Sequence, residues 1–388
     1  INESTLNTED FNNNALIYPN PTKEYLNLNS DYNNKTYKII DIYGKVIQQG
    51  SVIDSFKGNW KALNTEENNS LKELRKIATI ESIGSSTRIE GAILDDEEVN
   101  SLIQSIKITK LTSRAEQEVA GYYDALQVII ENYDEIELSE RYIHQLHHIL
   151  LKHSSKDKTH LGKYKSLSNK VVANYPDGAQ KIIFQTTDPV MTGKEMEELM
   201  IWVNERFVKE DIHPILVTCA FVYEFLSIHP YQDGNGRLSR LLTTFLLLKQ
   251  GYGFVQYISF EHIIEKRKDD YYKALMDGQK NRYQENERID GWVLFFLDCL
   301  VTLTKRLEAK YEVYSNLKPS LNLRQQKVLE FIKEQKTVQM ASIEFAFAEE
   351  SRNTLKKDLA YLVREKLILK TGERKGTCYH AKKEVNPY

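Results

Sequence analysis

The 388-residue chain has few cysteines, few prolines and no long hydrophobic run. Its three cysteines, at positions 219, 299 and 378, lie far apart and form no CxxC pair, which argues against a disulfide framework and against a cysteine zinc site. The richest apolar stretch, residues 238–248, is about half of the roughly 20 residues that a membrane-spanning helix needs. These absences predict a reducing compartment and no membrane-spanning segment.

Neither sign of charge dominates the whole chain, but the charge is unevenly distributed. The 52 Lys and Arg residues nearly balance the 55 Asp and Glu residues, for a formal net charge of −3. Residues 324–388 hold 14 basic and 9 acidic residues, so this region is +5 and the remainder is −8. Only the C-terminal region is therefore suited to a polyanion such as DNA.

The first segment, residues 1–53, is rich in asparagine and is predicted to form short β-strands at 15–21, 25–28 and 36–42. Its phrases IYPNPTKEYLNL and YKIIDIYGKVIQQG resemble the opening half of the C-terminal sorting domain of Bacteroidetes outer-membrane secretion systems. Such signals normally end a chain, whereas this one opens it. We interpret the segment as a translated or fused remnant rather than as a working sorting signal.

Residues 54–317 predict a mainly α fold because apolar residues recur there at i, i+3 and i+4. The clearest helical segments are 70–83, 115–132, 139–153, 194–209 and 214–228. One β-hairpin interrupts this pattern, since the strand-like sequences KVVA and KIIF flank the turn sequence YPDG within residues 170–184. Residues 320–388 predict three helices and a basic hairpin, the elements of a winged helix-turn-helix domain.

The densest group of chemically specialised residues is HPYQDGNGRLSR at 229–240, where one helix stops at a proline and another begins. Gly234 and Gly236 let the backbone approach a ligand closely, and the free N–H groups of the new helix form a phosphate cradle. Arg237 and Arg240 lie three positions apart and can clamp further phosphate oxygens.

Two further residues of this sequence complete the predicted chemistry. Asp233 is suited to hold a Mg²⁺ ion that bridges phosphates, and His229 has an ordinary pKa that suits a general base. Together these residues predict phosphoryl or nucleotidyl transfer. The alternative is a solvated helix–loop–helix with a glycine-rich connection.

The sequence at 229–240 is similar to the Fic (Fido) motif HPFx(D/E)GNGRxxR, with Tyr231 in place of phenylalanine. The resemblance covers about 54–317 and implies a protein adenylyltransferase, a nucleotidyltransferase that moves AMP from ATP to a Ser, Thr or Tyr hydroxyl of a target protein. It implies His229 as the base and Asp233 as the Mg²⁺ ligand. It also implies nucleotide contacts from Gly234, Asn235, Gly236, Arg237 and Arg240, and from Tyr272 and Gln279 on the helix that faces the adenine.

A second, shorter pattern implies regulation. Ser86, Glu90 and Gly91 fit [S/T]xxxE[G/N], which resembles the inhibitory helix of Fic proteins. If Glu90 pairs with Arg240, the γ-phosphate of ATP loses its clamp. The alternative is an exposed helix end that Gly91 caps. The predicted domains are thus 1–53, a helical region with the inhibitory motif at 54–112, the Fic core at 113–317, and the winged helix at 320–388.

The resemblance also implies partners. The hairpin at 170–184 corresponds to a "flap" that pairs with the main chain of a target as an added strand. Two other functions are open: an enzyme that removes AMP with the same site, and a nucleotide-sensing regulator that binds DNA through its winged helix. A homodimer is also open, and ATP use together with few cysteines predicts the cytoplasm. The histidines at 144, 147 and 148 have a metal-compatible spacing, but we favour helix packing.

Overall fold

The computed structural model describes residues 36–63, 69–106, 110–174, 180–284, 286–317, 321–365, 367–372 and 377–381. Of these, the residues up to 63 and those of 74–309 form one unit, and residues 69–73 with those from 310 onward form a second. The fold is mainly α, as predicted. Its α-helices are α1 Thr36–Leu63, α2 Asn69–Ile89, α3 Asp96–Ser105, α4 Arg114–Asn132, α5 Glu140–Leu151, α6 Pro189–Lys209, α7 Pro214–Ile228, α8 Asn235–Lys249, α9 Phe260–Lys266, α10 Lys268–Gln279, α11 Asp290–Leu317, α12 Leu323–Gln335, α13 Met340–Ala346 and α14 Arg352–Arg364.

Helices α7 and α8 form the centre of the first unit. The sequence of α7 is apolar on every side, so the helix is stable only when neighbours surround it; α6 and α8 pack against it, and α4 packs against α5 and α8. Pro214 occupies the first turn, where its missing N–H is not needed. Although α7 is strongly apolar, no helix in the described parts of the chain is both long and apolar enough to cross a membrane.

The predicted strand at 36–42 is wrong, because these residues lie in α1. The local pattern is β-like, but Val46, Ile53 and Trp60 recur every seven residues and are buried, which places them on one helical face. That face packs on a 3₁₀-helix at Gly253–Tyr257. Burial of this stripe outweighs the local preference for strand. The other two predicted strands, at 15–21 and 25–28, fall outside the described residues.

Polar contacts also fix α1 to the first unit. Asp54 accepts a hydrogen bond from Tyr252 Oη at 2.8 Å, and its second oxygen lies 2.8 Å from His213 Nε2. Lys57 Nζ donates to Gln250 O at 2.8 Å and lies 4.2 Å from the centroid of the Tyr252 ring. Helix α1 is therefore an integral part of the first unit.

We expect Ile53→Ala to lower the free energy of unfolding by about 2–5 kcal/mol, because it deletes a completely buried side chain and leaves a cavity. Val52→Ala is the matched control, since the neighbouring side chain is 43% exposed and its truncation should change stability by no more than about 0.5 kcal/mol. Urea unfolding measures both. Equal losses for the two variants would contradict the packing of α1.

The predicted hairpin is present. Its strands are β1 Lys170–Asn174 and β2 Gln180–Gln185, which pair antiparallel with Lys170 opposite Gln185 and with an irregular register between Val171 and Val172. Residues 175–179, which include the whole predicted turn, lie outside the described residues. Within the described chain, β1 pairs only with β2 and β2 only with β1, so neither strand has a second strand partner among these residues.

The second unit contains α12, α13 and α14 around a three-stranded antiparallel sheet. The sheet has the order β3–β5–β4, with β3 at Thr337–Gln339, β4 at Ile368–Thr371 and β5 at Cys378–Ala381. Its core is formed by aliphatic side chains from all three helices, among them Val328, Ile343 and Leu359. Sequence analysis missed β3. The three helices and the hairpin match the predicted elements, and their assignment as a winged helix stays a prediction.

Candidate active site

The loop at 229–234, here called the motif loop, joins the end of α7 to the start of α8. His229 ends α7 in the left-handed region (φ 51°, ψ 60°), and its N–H donates to Phe225 O at 2.9 Å. Gly234 precedes α8 with φ 82°, a conformation that glycine adopts without strain. These two turns place His229 and the first N–H groups of α8 beside the same cavity.

The cavity has a volume of about 160 Å³. The structure brings most of the predicted site residues together around it, and Leu226, Leu275 and Met276 add an apolar wall. Arg237, Ser86 and Gly91 do not line it. The predicted residues that do are Glu90, His229, Asp233, Gly234, Asn235, Gly236, Arg240, Tyr272 and Gln279.

Arg240 is held by the end of α2. Its guanidinium is 2% exposed and lies 2.7 Å from Glu90 Oε1, measured from Nη2. It also donates to Ser86, from Nε to the hydroxyl at 2.8 Å and from Nη2 to the carbonyl at 3.0 Å. Burial acts to raise the pKa of the Glu90 carboxyl, but Arg240 outweighs it and the pKa lies below its ordinary value. Because the Glu90 side chain is 34% exposed, the pair joins a buried guanidinium to a partly exposed carboxylate.

Sequence analysis missed the residue that anchors this end of α2. Arg88 binds Glu265 of α9, with 2.6 Å between Nε and Oε1, and lies 2.9 Å from Asp96 Oδ1. Lys268 Nζ donates to Ile89 O at 2.7 Å. Gly91 then turns the chain with φ 102°. These contacts hold Glu90 at the cavity. Those of Arg88 with Glu265 and of Lys268 with Ile89 join residues 177 and 179 positions apart along the chain.

Arg237 lies behind the cavity wall between two carboxylates. Its Nη2 is 3.2 Å from Asp233 Oδ1 and its Nη1 is 3.4 Å from Glu118 Oε1. Arg114 contacts the same two carboxylates, at 2.7 Å from Glu118 and 3.3 Å from Asp233. Burial acts to raise the pKa of Asp233, but Arg237, the backbone N–H of Gly234 and Arg114 together outweigh it, so the pKa lies below its ordinary value. No sequence motif could have identified Glu118 or Arg114 as part of this site.

The imidazole of His229 is held in its neutral form. Burial lowers its pKa to about 4, and the positive charge of Lys165 acts in the same direction. Nδ1 lies 3.3 Å from Leu226 O. Because a carbonyl oxygen only accepts, Nδ1 carries the hydrogen and Nε2 keeps its lone pair. This is the protonation state that a general base needs.

Two of the three histidines of α5, His144 and His147, pack against the motif loop, whereas His148 is exposed. His147 stacks on Tyr231 with ring centroids 3.8 Å apart. Its Nδ1 accepts from Gly162 N at 2.9 Å, so Nε2 carries the hydrogen and donates to Asp233 O at 3.0 Å. His144 Nδ1 lies 2.8 Å from Tyr231 Oη. Among the described residues, no three His, Cys, Asp or Glu side chains form a metal-binding group.

The two residues predicted to face adenine lie at the apolar part of the cavity. Gln279 Nε2 donates to Ser227 Oγ at 3.0 Å, so its amide is oriented. Tyr272 packs edge-on against Tyr271, with centroids 5.2 Å apart. The arrangement provides a flat aromatic face and an amide beside apolar side chains, which suits a planar base.

Comparison with known proteins finds two family matches in this chain. Residues 137–247 match the Fic/DOC family, and residues 16–70 match the secretion system C-terminal sorting domain. Both predicted resemblances are thus confirmed. The second match extends beyond residue 53 through α1, so sequence of the sorting-domain type is helical here from residue 36 to residue 63.

Two of the similar curated proteins are fly proteins called protein adenylyltransferase Fic. The one from Drosophila willistoni is 25% identical over 293 residues, which is 75% of this chain and 54% of that protein. The one from Drosophila melanogaster is 25% identical over 202 residues, which is 52% of this chain and 38% of that protein. The chain thus spans about half or less of the length of these relatives.

Solved structures show the same fold. A Fic family protein from Desulfovibrio desulfuricans G20 superposes with a TM-score of 0.64 at 19% identity, covering 88% of this chain and 97% of its own. A Fic domain-containing signaling protein from Bacteroides thetaiotaomicron gives 0.56 at 23% identity, covering 67% and 97%. At these identities the similarity shows a shared fold and no more.

Proposed function

We propose that this chain is a protein adenylyltransferase that transfers AMP from ATP to a Ser, Thr or Tyr hydroxyl of a target protein. The observation that carries the proposal is the cavity at the start of α8. A neutral histidine, an ionised carboxylate and the N-terminus of a helix meet there, beside a buried arginine. Binding the phosphates of a nucleoside triphosphate requires such a set of charges, and the Fic match supports the assignment.

In the proposed reaction, His229 Nε2 accepts the proton of the target hydroxyl. The hydroxyl oxygen then forms a bond to the α-phosphorus of ATP, while the bond from that phosphorus to the bridging oxygen breaks and pyrophosphate leaves. The proton stays on the imidazole and is lost to water after product release. Because burial keeps the ring neutral at pH 7, no prior deprotonation is required.

The chain's own cations would neutralise the phosphates. The N–H groups of Asn235 and Gly236 at the start of α8 offer hydrogen bonds and the positive end of the helix dipole. Arg237 lies behind the cavity wall and is almost fully buried, so its positive charge would act on the phosphates from there; among the described residues its Nε has no hydrogen-bond partner. The Glu90 carboxylate lies so close to the backbone of Gly236 that a Cβ there would be 2.1 Å from its Oε1, so glycine leaves room for an anionic group beside this backbone.

Asp233 fits a Mg²⁺ ion. Its carboxylate is ionised, and Asp233 lines the cavity from the motif loop. Proteins commonly bind Mg²⁺ through one or two carboxylates together with substrate phosphates. When bound, Mg²⁺ supplies charge neutralisation at the phosphate oxygens. Arg114 and Arg237 hold Asp233 in place, and His147 fixes its backbone carbonyl.

The inhibitory role of Glu90 follows from the same cavity. Arg240 can reach the γ-phosphate only if Glu90 releases it, because one guanidinium edge cannot serve both anions. In the present arrangement Glu90 holds Arg240 and ATP would lack its clamp. We therefore propose that the chain is autoinhibited by α2, with Ser86 sharing the contact to Arg240.

The hairpin β1–β2 is the proposed docking site of the target. Each strand has an outer edge that, in the described chain, pairs with nothing, and an extended target segment can add to such an edge through main-chain hydrogen bonds. This places the target hydroxyl by its backbone rather than by its side-chain sequence. A cytoplasmic location, homodimer formation and DNA binding by the second unit stay predictions.

A second candidate function is removal of AMP from a modified protein. The observation that favours it is the position of the Glu90 carboxylate, which lines the cavity together with His229 and could orient a water molecule. The wild-type chain would then release AMP from a modified target in the absence of ATP. Measuring free AMP under these conditions separates the two functions.

The experiment that tests the proposal is intact-mass spectrometry of the Glu90→Gly variant after incubation with ATP and Mg²⁺. We expect a mass increase of one AMP on the enzyme or on an added target, and fragmentation should locate it on a hydroxyl. ADP in place of ATP is the control, because AMP transfer from ADP would release only phosphate and leave the γ-phosphate clamp unused. A mass increase of one phosphate would overturn the proposal in favour of a kinase.

A further inference from the structure

A buried lysine lies between the motif loop and the base of the hairpin. Lys165 is 3% exposed, and its ammonium group donates to three neutral oxygens: Asn169 Oδ1 at 3.0 Å, Thr186 Oγ1 at 2.9 Å and Ile228 O at 2.9 Å. Burying a charge is costly, and a carboxylate partner usually offsets that cost. Here three dipoles take the place of a carboxylate. Neutral oxygens offset the cost of burying the ammonium less completely than a carboxylate would, so we expect Lys165 to have a role other than stabilising the fold.

The contacts of Lys165 and Asn169 cover four successive carbonyl groups, those of residues 228–231. Besides the bond to Ile228 O, the backbone N–H of Lys165 donates to Pro230 O at 2.8 Å. Asn169 Nδ2 donates to Tyr231 O at 2.8 Å and lies 3.4 Å from His229 O. The backbone on both sides of His229 is thus held by one short segment of the chain.

This support matters because of the conformation of His229. Its φ of 51° is uncommon for a residue other than glycine, and such a conformation persists only where the surroundings determine it. The four carbonyl contacts supply that constraint. The same geometry sets the direction of the imidazole, since the side chain leaves from the constrained Cα.

The same residues also hold the base of the hairpin. Asn169 immediately precedes β1, and Thr186 immediately follows β2. Thr186 Oγ1 contacts the backbone carbonyl of Asn169 at 3.0 Å as well as the ammonium of Lys165. The ammonium therefore joins both strand ends of the proposed target-docking hairpin to the loop that carries the proposed base.

We propose that Lys165 and Asn169 are positioning residues that hold His229 in its reactive orientation and tie the hairpin to the motif loop. This inference rests on the proposed AMP transfer. Lys165 touches no reacting atom and acts through the backbone of residues 228–231. A target strand added to the hairpin would then be placed in register with the base by a shared hydrogen-bonded anchor.

The test uses the Glu90→Gly chain as the active parent and compares Lys165→Met within it. Methionine fills a similar volume but donates no hydrogen bond. We expect kcat for AMP transfer to fall on the order of 10²-fold, the effect of a misplacement near 1 Å, with an unchanged Kd for ATP by calorimetry. Lys163→Met is the matched control, because Lys163 is exposed and two residues away, and it should leave kcat unchanged.

Asn169→Asp is the second variant and covers the case in which Lys165→Met fails to fold. It keeps the size of the side chain and the oxygen that contacts Lys165, but it replaces the Nδ2 donor by an oxygen that faces Tyr231 O. We expect a lower kcat without a lower melting temperature, because the new carboxylate pairs with the lysine. A substitution that only loosened the fold would lower the melting temperature and the ATP-binding stoichiometry together with the rate.

Hydrogen exchange tests the positioning of the motif loop independently of catalytic activity. Deuterium uptake should rise in the peptide that covers residues 228–236 in both variants and stay at the parental level in Lys163→Met. If the Glu90→Gly parent is active and Asn169→Asp leaves both kcat and deuterium uptake unchanged, the positioning role is overturned while the proposed AMP transfer stands. An inactive parent would overturn the proposed AMP transfer, and this inference would fall with it.

Discussion

Replacing His229 with alanine is expected to lower the rate of AMP transfer by about 10²–10⁴-fold, the usual contribution of a positioned general base. The neutral imidazole, with its Nε2 lone pair available, is the feature that motivates this expectation. Affinity for ATP should stay close to that of the parent, because the proposed phosphate contacts come from other residues. The measurement is a time course with radiolabelled ATP in the Glu90→Gly background.

His148→Ala is the matched control for this substitution. His148 lies on the exposed side of α5, whereas His147 one position earlier is completely buried. The control should label at the parental rate. Unchanged labelling in the His229→Ala chain would remove the base from the mechanism, and a parallel loss of ATP binding would show that the substitution had damaged the cavity instead.

The Glu90→Gly substitution is expected to raise AMP transfer by about 10–10²-fold. Hydrogen bonds to a charged group contribute about 1.5–3 kcal/mol, and this is the free energy that ATP must overcome when Glu90 occupies Arg240. Glycine is tolerated at this position because the residue follows the last residue of α2. Glu90→Gln keeps the size of the side chain and loses its charge, so it should give a smaller increase.

The same substitution should make the unliganded protein less stable. Removing Glu90 takes one partner from the buried guanidinium of Arg240, which keeps the Ser86 oxygens. Because the Glu90 side chain is 34% exposed, we expect a loss of about 1–3 kcal/mol, less than for a fully buried pair. ATP with Mg²⁺ should then raise the melting temperature more in the variant than in the wild type, because a ligand stabilises the state that it binds. Equal rates and equal thermal shifts in both proteins would rule out autoinhibition through Arg240.

The motif loop and the start of α8 were predictable because their functional residues are close together in the sequence. His229, Asp233, the two glycines and the two arginines lie within a dozen residues, and the helix break between them follows from Pro230 and Gly234. The inhibitory motif was recognisable for a similar reason, since Ser86 and Glu90 share one end of α2. The hairpin was also predictable, because its β-branched sequences and turn differ from the surrounding helical pattern.

Three supporting residues could not be predicted from any pattern. Glu118 acts through Arg237, Arg88 through Glu265, and Lys165 through the carbonyls of the motif loop. Each pair is separated by more than 60 residues along the chain, so only folding brings the partners together. The strand predicted at 36–42 failed for the same reason, because the decisive contacts of α1 are with residues 250–257.

By itself, the sequence determined that the protein is mainly helical, that it carries a Fic motif with a sequence resembling an inhibitory motif upstream, and that a hairpin lies between them. These properties depend on residue type and short spacing. Only the tertiary structure decided that Glu90 reaches Arg240 across the cavity, that α1 belongs to the first unit, and that a buried lysine joins the hairpin to His229. These depend on which surfaces meet, and burial then decides how strongly the charges interact.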